Sequence, residues 1–470
     1  MGIFPLLLGA AVSAGGRWPL LSVAAAGSLF LISVFPIGRV KAVSQAGRWM
    51  VEVPVLLLLL STLVLRIRGS ADILEHPLDP AGFFRIACLG LAAFLGLLAC
   101  LSPRHPSLSG PPTASRPIRL YVAYLVIVLL GVLVSPAPFL TLFHAAELAI
   151  ALIVLIAAGR AFGPTAYQRI LHTLYWFQVT LIALVWIEVF LLPGKALTAV
   201  KSPIHWQIEG VYPSIDHNGV GTLGAIVFVW SLGRFLSGSR DDENGRRSAS
   251  SLLLSLLGLI TLVGAQYRTG YIALMASLVL LLVLQYPRVL LILLFATGVV
   301  FASTPANKAE PFLLRGETPE EASGLSSRVD WWKLAIPVWK ESPIIGGGLL
   351  TATRLDVLAP IGRESTSTIH STWVEALVGT GVLGVFMLGA SFLVLLWRAF
   401  RRAVAGHVIP MLLLVVIGVR SLTGTTFEAS GRSLLMFLTL AFILNDRTLR
   451  TRVGSGGERA VTTLDGRFSR

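Results

Sequence analysis

One histidine and one glutamate stand where a polar stretch gives way to a long apolar run, in STIHSTWVEALVGTGVLG at 367–384. Ionisable groups beside lipid are costly and are functional candidates by default. His370 can exchange a proton near neutral pH; its plainer reading is an interfacial histidine satisfied by water. Glu375 follows roughly 140° further round a helix, so the two do not share a face, and helix packing competes with chemistry as its purpose. Three other regions bring polar groups to the ends of apolar runs. These are Asp216, His217 and Asn218 in GVYPSIDHNGVG, Arg268 in GAQYRTGYIAL, and Arg328 in SGLSSRVDWW. A planar guanidinium grips phosphate bidentately, and a buried one needs an anion. For Arg268 the competing reading is snorkelling to lipid headgroups. For Asp216 it is a helix N-cap, because the residue immediately precedes an apolar run.

The elements that must position these groups are membrane spans. The chain has 470 residues, of which 55% are hydrophobic and 13% charged; soluble domains carry about 25% charged residues. Apolar runs predict about fourteen spans, at 2–15, 18–36, 50–66, 82–101, 118–135, 139–159, 169–192, 216–236, 250–266, 269–286, 288–303, 372–397, 406–423 and 431–445. Counting the tight turns conservatively gives about 12–14. The fold class is therefore all-α, a polytopic helical bundle.

Arginine and lysine placement sets the orientation. Arg39, Lys41 and Arg48, then Arg104 and Arg116, then Arg240, Arg246 and Arg247, then Arg398, Arg401 and Arg402 share one side with the C-terminal tail. By the positive-inside rule that side is the cytoplasm. Segments 193–215 and 304–371 then lie outside. The expected organisation is helices over 1–303, an external subdomain over 304–371, helices over 372–446 and a disordered cytoplasmic tail over 447–470. Within the subdomain, DWWKLAIPVWK predicts a short amphipathic helix with an aromatic face suited to the membrane interface. All the polar candidates open on the external face.

The formal net charge of +14 is spread over short loops instead of forming one patch, which argues against nucleic acid as a partner. Cys88 and Cys100 lie in one apolar run, about 18 Å apart along a helix, and neither pair with each other nor suggest a metal site. There is no P-loop, nucleotide fingerprint or HExxH. GTGVLG at 379–384 has the GxGxxG spacing but sits in an apolar helix, where small residues serve close packing.

HSTWVEALVGTGVLG resembles the His-x-x-(Trp/Tyr/Leu)-x-Glu-x-x-x-x-x-Gly-x-x-Gly segment of the O-antigen ligase and O-antigen polymerase superfamily. GVYPSIDHNGVGTL resembles that superfamily's earlier segment ending in Asn-x-x-Gly. YRTGYIAL is similar to its Ser-Arg-Gly/Thr-x segment, with tyrosine in place of serine. SSRVDWWKLAIPVWKESPIIGGGL is similar to its Arg-x-x-x-Trp…Pro-x-x-Gly-x-Gly segment. The four occur in the family's order and cover about residues 210–385.

The resemblance implies a C-type membrane glycosyltransferase in the bacterial cytoplasmic membrane, with its active site facing the periplasm. The donor would be a polyprenyl-pyrophosphate-linked glycan. The acceptor would be lipid A core for a ligase, or a second lipid-linked glycan for a polymerase; membrane lipids are the remaining partners. No cofactor or metal is implied. In that chemistry His370 takes the proton of the acceptor hydroxyl, and Arg268 and Arg328 hold the pyrophosphate. Asp216 and Asn218 orient a sugar or the histidine, and Glu375 is a candidate for substrate binding. The competing functional readings are a lipid-linked saccharide transporter and a non-catalytic scaffold whose arginines bind headgroups. Polar groups gathered at one end of the spans, with a long external segment among them, favour one-sided chemistry over a transporter.

Overall fold

A backbone in lipid must satisfy its own hydrogen bonds, and the leucine-, valine- and alanine-rich runs of this chain do so as helices. The structure is a computed structural model describing residues 45–63, 80–101, 115–200, 205–236, 246–288, 328–362, 368–427 and 431–444. Its helices are α1 (Gln45–Ser61), α2 (Pro80–Leu101), α3 (Arg116–Leu130), α4 (Pro138–Phe162), α5 (Pro164–Leu191), α6 (His217–Leu236), α7 (Arg246–Ala265), α8 (Arg268–Gln285), α9 (Arg328–Glu341), α10 (Thr372–Val404), α11 (Ile409–Thr423) and α12 (Arg432–Ile443). Among the described residues, seven helices are long and apolar enough to cross a membrane: α2–α6, α8 and α10. Shorter apolar helices lie within α1, α7, α11 and α12. Each coincides with an expected span. The expected spans 2–15, 18–36 and 288–303 and the tail 447–470 lie outside the described residues, as do 304–327 and 363–367 of the expected subdomain. The protein is an all-α, multi-pass membrane bundle.

The bundle is fastened differently at its two ends. At one end Arg398, in the last turns of α10, donates through Nη1 to Ser115 Oγ at 3.1 Å and to Leu444 O at 3.4 Å. This joins the start of α3 to the end of α12. At the other end lie the start of α6, the α7–α8 turn, the start of α10 and the α11–α12 connection. Small residues let α6 and α7 touch closely: a Cβ on Gly224 would stand 2.7 Å from Gly258 O. An aromatic stack of Phe392, Phe427 and Phe437 runs beneath the α11–α12 connection, with Phe427 and Phe437 ring centres 5.0 Å apart.

Segment 193–215, expected as an external loop, folds after one helical turn into two small antiparallel ribbons. β1 (Leu197–Ala199) pairs with β2 (Trp206–Ile208), and β3 (Gly210–Val211) with β4 (Ser214–Ile215). Glu188, near the end of α5, accepts the N–H groups of Val211 and Tyr212 at 2.8 and 2.6 Å and so ties the second ribbon to the bundle.

The aromatic face of α9 departs from expectation. Trp331, Trp332 and Trp339 turn inward onto a small core of Ala335, Ala352, Val357, Leu358, Ile369 and Val378. Leu334, Ile336 and Ile344 are the large apolar side chains left exposed. GTGVLG also differs from its expected role. Gly381 has φ +64° and ψ −171°, so α10 is broken there. The chain Pro343–Leu350 lies in the break. Gly347 and Gly348 N–H donate to Val378 O and Gly379 O at 2.9 and 3.0 Å, and Val382 N–H donates to Pro343 O at 2.9 Å. The small residues admit this turn-rich stretch of chain, in which Gly346, Gly348 and Leu350 have positive φ. Side chains are excluded there: a Cβ on Gly381 would stand 2.3 Å from the Ile344 backbone.

Candidate functional site

The break in α10 anchors the segment that leads into His370. From there the histidine loop is gripped on every side. Trp332 Nε1 donates to Ile369 O at 3.0 Å, and Ile369 N–H donates to Glu375 Oε2 at 3.4 Å. Thr425 Oγ1 donates to Thr368 Oγ1 at 2.9 Å, Thr372 Oγ1 donates to Gly424 O at 3.1 Å, and Thr426 N–H donates to Thr372 Oγ1 at 3.0 Å. Ser371 caps α10, its side chain accepting from Val374 N–H. These bonds hold His370 at φ +54°. A left-handed non-glycine backbone costs about 1–3 kcal/mol and persists where its surroundings over-determine it, commonly at functional sites.

The His370 ring stacks on Trp331, with centres 5.7 Å apart and planes 30° apart. Burial, then the Arg328 guanidinium, push its pKa below the ordinary 6.5, while Asp216 opposes them. The imidazole is accordingly the neutral, proton-accepting form at pH 7. Arg328 opens α9. Burial works against its charge, and Tyr267 and Asp216 act the other way. His370, Arg328 and Asp216, from three distant parts of the sequence, thus lie within electrostatic reach of one another.

Asp216 is the N-cap of α6. Its Oδ1 accepts from Gly219 N–H at 3.0 Å, and its Oδ2 accepts from Asn218 Nδ2 at 3.0 Å. The capping role weighed from sequence is real, and its charge still reaches His370 and Arg328. Arg268 is the first residue of α8, with its Nε buried. Next to it Thr269 shares a hydrogen bond with Thr423 at 2.8 Å, one residue before the Gly424 carbonyl that holds Thr372. On its other side Tyr267 packs on α6, where a Cβ at Gly221 would stand 2.4 Å from Tyr267 Cβ. Arg268 therefore belongs to the same end of the bundle. Glu375 is fully buried beneath the loop, reaching back to Ile369. Among the described residues no group of three or more His, Cys, Asp and Glu is placed to hold a metal.

Sequence reasoning passed over two arginines. Arg420 lies in the last turn of α11 and Arg432 opens α12. They flank the connection that grips the histidine loop, and Asp216 acts on Arg432 as well. A signal was present: in the orientation expected from sequence, both fall on the side that the positive-inside rule leaves poor in arginine.

The fold defines a multi-pass membrane protein. Residues 253–389 match the family model for O-antigen ligase, and over this stretch the chain is similar to that family. The match runs from within α7 to within α10 and takes in Arg268, Arg328, His370 and Glu375; Asp216, Asn218, Arg420 and Arg432 lie beyond it. Among curated proteins none matches the chain.

Proposed function

We propose that the protein transfers a glycan from a polyprenyl-pyrophosphate carrier to an acceptor hydroxyl, in the manner of an O-antigen ligase, at the outer face of the cytoplasmic membrane. The observation that carries this reading is the gathering of His370, Arg328 and Asp216 at one end of the bundle, with a half-buried histidine kept neutral. The acceptor oxygen attacks the anomeric carbon. Its proton passes to His370, and the bond from that carbon to the phosphate oxygen breaks. The leaving pyrophosphate keeps the electron pair on its oxygen, where Arg268 and Arg328 stabilise the added charge. Glu375 and Trp332 hold the loop that aims the imidazole. Trp331 fixes its ring plane, and Asp216 with Asn218 sets the start of α6 beside it.

This placement answers why a histidine stands at the mouth of a membrane helix. The acceptor hydroxyl arrives from water and the carrier lies in lipid, so the two meet at such a boundary. His370→Ala should insert and fold, bind donor, and lose about a hundredfold to ten-thousandfold in transfer. His370→Gln, polar but not basic, should fail equally. The assay is transfer of labelled glycan from purified lipid-linked donor in detergent; near-normal rates in both variants would reduce His370 to an interfacial residue. The glycan profile of a deletion strain separates ligase from polymerase. Lost ligation leaves long unattached chains on the carrier, and lost polymerisation leaves single attached units.

A further inference from the structure

Arg420 and Arg432 stand on either side of the α11–α12 connection, close enough that the Arg420 guanidinium opposes the charge of Arg432. Arg420 has a structural explanation. A cation in the last turn of a helix complements the dipole, and its Nη1 donates to Ser433 Oγ at 3.3 Å. Arg432 has none. It opens α12, where a positive charge meets the positive end of the dipole. The preceding Gly431 offers no side-chain cap. Its Nη1 is shut off from solvent and has no hydrogen-bond partner among the described residues. Asp216 acts on it, but both Asp216 oxygens already accept bonds within their own turn. A guanidinium with a nitrogen sealed from water, set against a second arginine and a helix N-terminus, is unfavourable unless an anion joins it.

We propose that Arg432 and Arg420 form an anion site for a phosphate group carried on a lipid, next to the histidine loop. Three features favour phosphate on a lipid over other anions. Two neighbouring guanidiniums and the N–H groups that open α12 suit a tetrahedral oxyanion. The two arginines lie at the ends of two apolar helices, the depth at which a lipid phosphate sits. Gly424 and Thr426, which bond to Thr372, place it one connection away from His370. The inference deepens the transferase reading and rests on it for one source of phosphate, the pyrophosphate of the carrier. The other source is the headgroup of an ordinary anionic phospholipid.

The test uses the full-length protein in nanodiscs of phosphatidylcholine, with inorganic pyrophosphate as probe, followed by calorimetry. Arg432→Gln should weaken pyrophosphate binding by about tenfold or more, the size of one lost charge-assisted hydrogen bond. Arg432→Lys should recover only part of it, having no planar fork. His370→Ala should bind pyrophosphate like the wild type. If the occupant is a headgroup, pyrophosphate binding is unchanged, and phosphatidylglycerol retained by the wild type in native mass spectra is lost from Arg432→Gln. Either result supports the site and names its source. Unchanged binding of both probes overturns it. So does a lower melting temperature for Arg432→Gln without ligand, since that means a structural partner already satisfies the arginine; the proposal expects an equal or higher one. A wild type that binds pyrophosphate through Arg432 yet transfers no glycan would sink the transferase reading alone.

Discussion

The two ends of α12 each meet an arginine, and they are treated in opposite ways. At the C-terminal end Arg398 arrives from α10, complements the dipole, and spends Nη1 on Leu444 O and Ser115 Oγ. At the N-terminal end Arg432 opposes the dipole, has the Arg420 charge set against it, and keeps Nη1 buried without a partner among the described residues. One helix thus carries a finished electrostatic joint and an unfinished one. The finished joint ties three helices together. The unfinished one adjoins the loop that holds His370 at φ +54°. Strain and uncompensated charge collect at one end, and ordinary stabilising contacts hold the other. That division is expected when the strained end serves ligands.

The largest effect should come from destroying the scaffold of the strained end. Gly381→Val puts a branched side chain at φ +64°, within 2.3 Å of the Ile344 backbone by its first carbon alone. Strain and overpacking together should exceed about 3 kcal/mol. Little monodisperse protein should survive detergent extraction, as fluorescence-detected gel filtration would show. Wild-type recovery would mean that the Pro343–Leu350 insertion is not what fixes the histidine loop.

Next comes the finished joint. Arg398→Ala should lower stability by about 1.5–3 kcal/mol, the range for hydrogen bonds to a charged group. Transfer per folded molecule should stay at the wild-type level. Thermal melting paired with the transfer assay reads both. A selective loss of transfer without destabilisation would erase the contrast between the two ends.

A smaller and directional effect concerns pH. Arg328 lowers the His370 pKa by its charge, second to burial. A general base works when neutral, so the lowered pKa carries activity further into acid. Arg328→Gln removes the positive neighbour, the imidazole holds its proton more tightly, and the acid limb of the remaining transfer should move to higher pH. A limb that stays in place would show that the two do not couple in solution.

These contrasts were only partly legible in the sequence. Hydropathy located α2–α8 and α10–α12, because a backbone in lipid has few alternatives to a helix. It also pointed to Asp216 as a cap, since an aspartate before an apolar run has one obvious use. The break at Gly381 was not legible. GTGVLG serves close packing equally well whether the neighbour is a helix or the inserted Pro343–Leu350 segment, and only the distant partner decides. Helical spacing was the wrong measure for His370 and Glu375, and it missed their connection. His370 lies outside the helix, and the carboxylate reaches back to the Ile369 N–H. Arg432 was missed because an arginine at a span end reads as topology until its surroundings are known.

The smallest expected effect tests whether Asp216 is more than a cap. Asparagine caps helices about as well as aspartate does, so Asp216→Asn should change stability by only a few tenths of a kcal/mol. Asp216→Ala should lose the cap, about 1 kcal/mol. The charge is a separate matter. Asp216 raises the His370 pKa against burial and Arg328. Removing its charge lets that pKa fall further, so the acid limb of transfer in Asp216→Asn should move to lower pH, opposite to Arg328→Gln. Asp216 is solvent-exposed, and its field is screened over about 10 Å at 0.1 M salt. The displacement should therefore be visible at low ionic strength and shrink as salt is added. A pH profile identical to wild type at low salt, alongside the stability loss in Asp216→Ala, would leave Asp216 a cap alone. The neutral imidazole would then be the work of burial and Arg328.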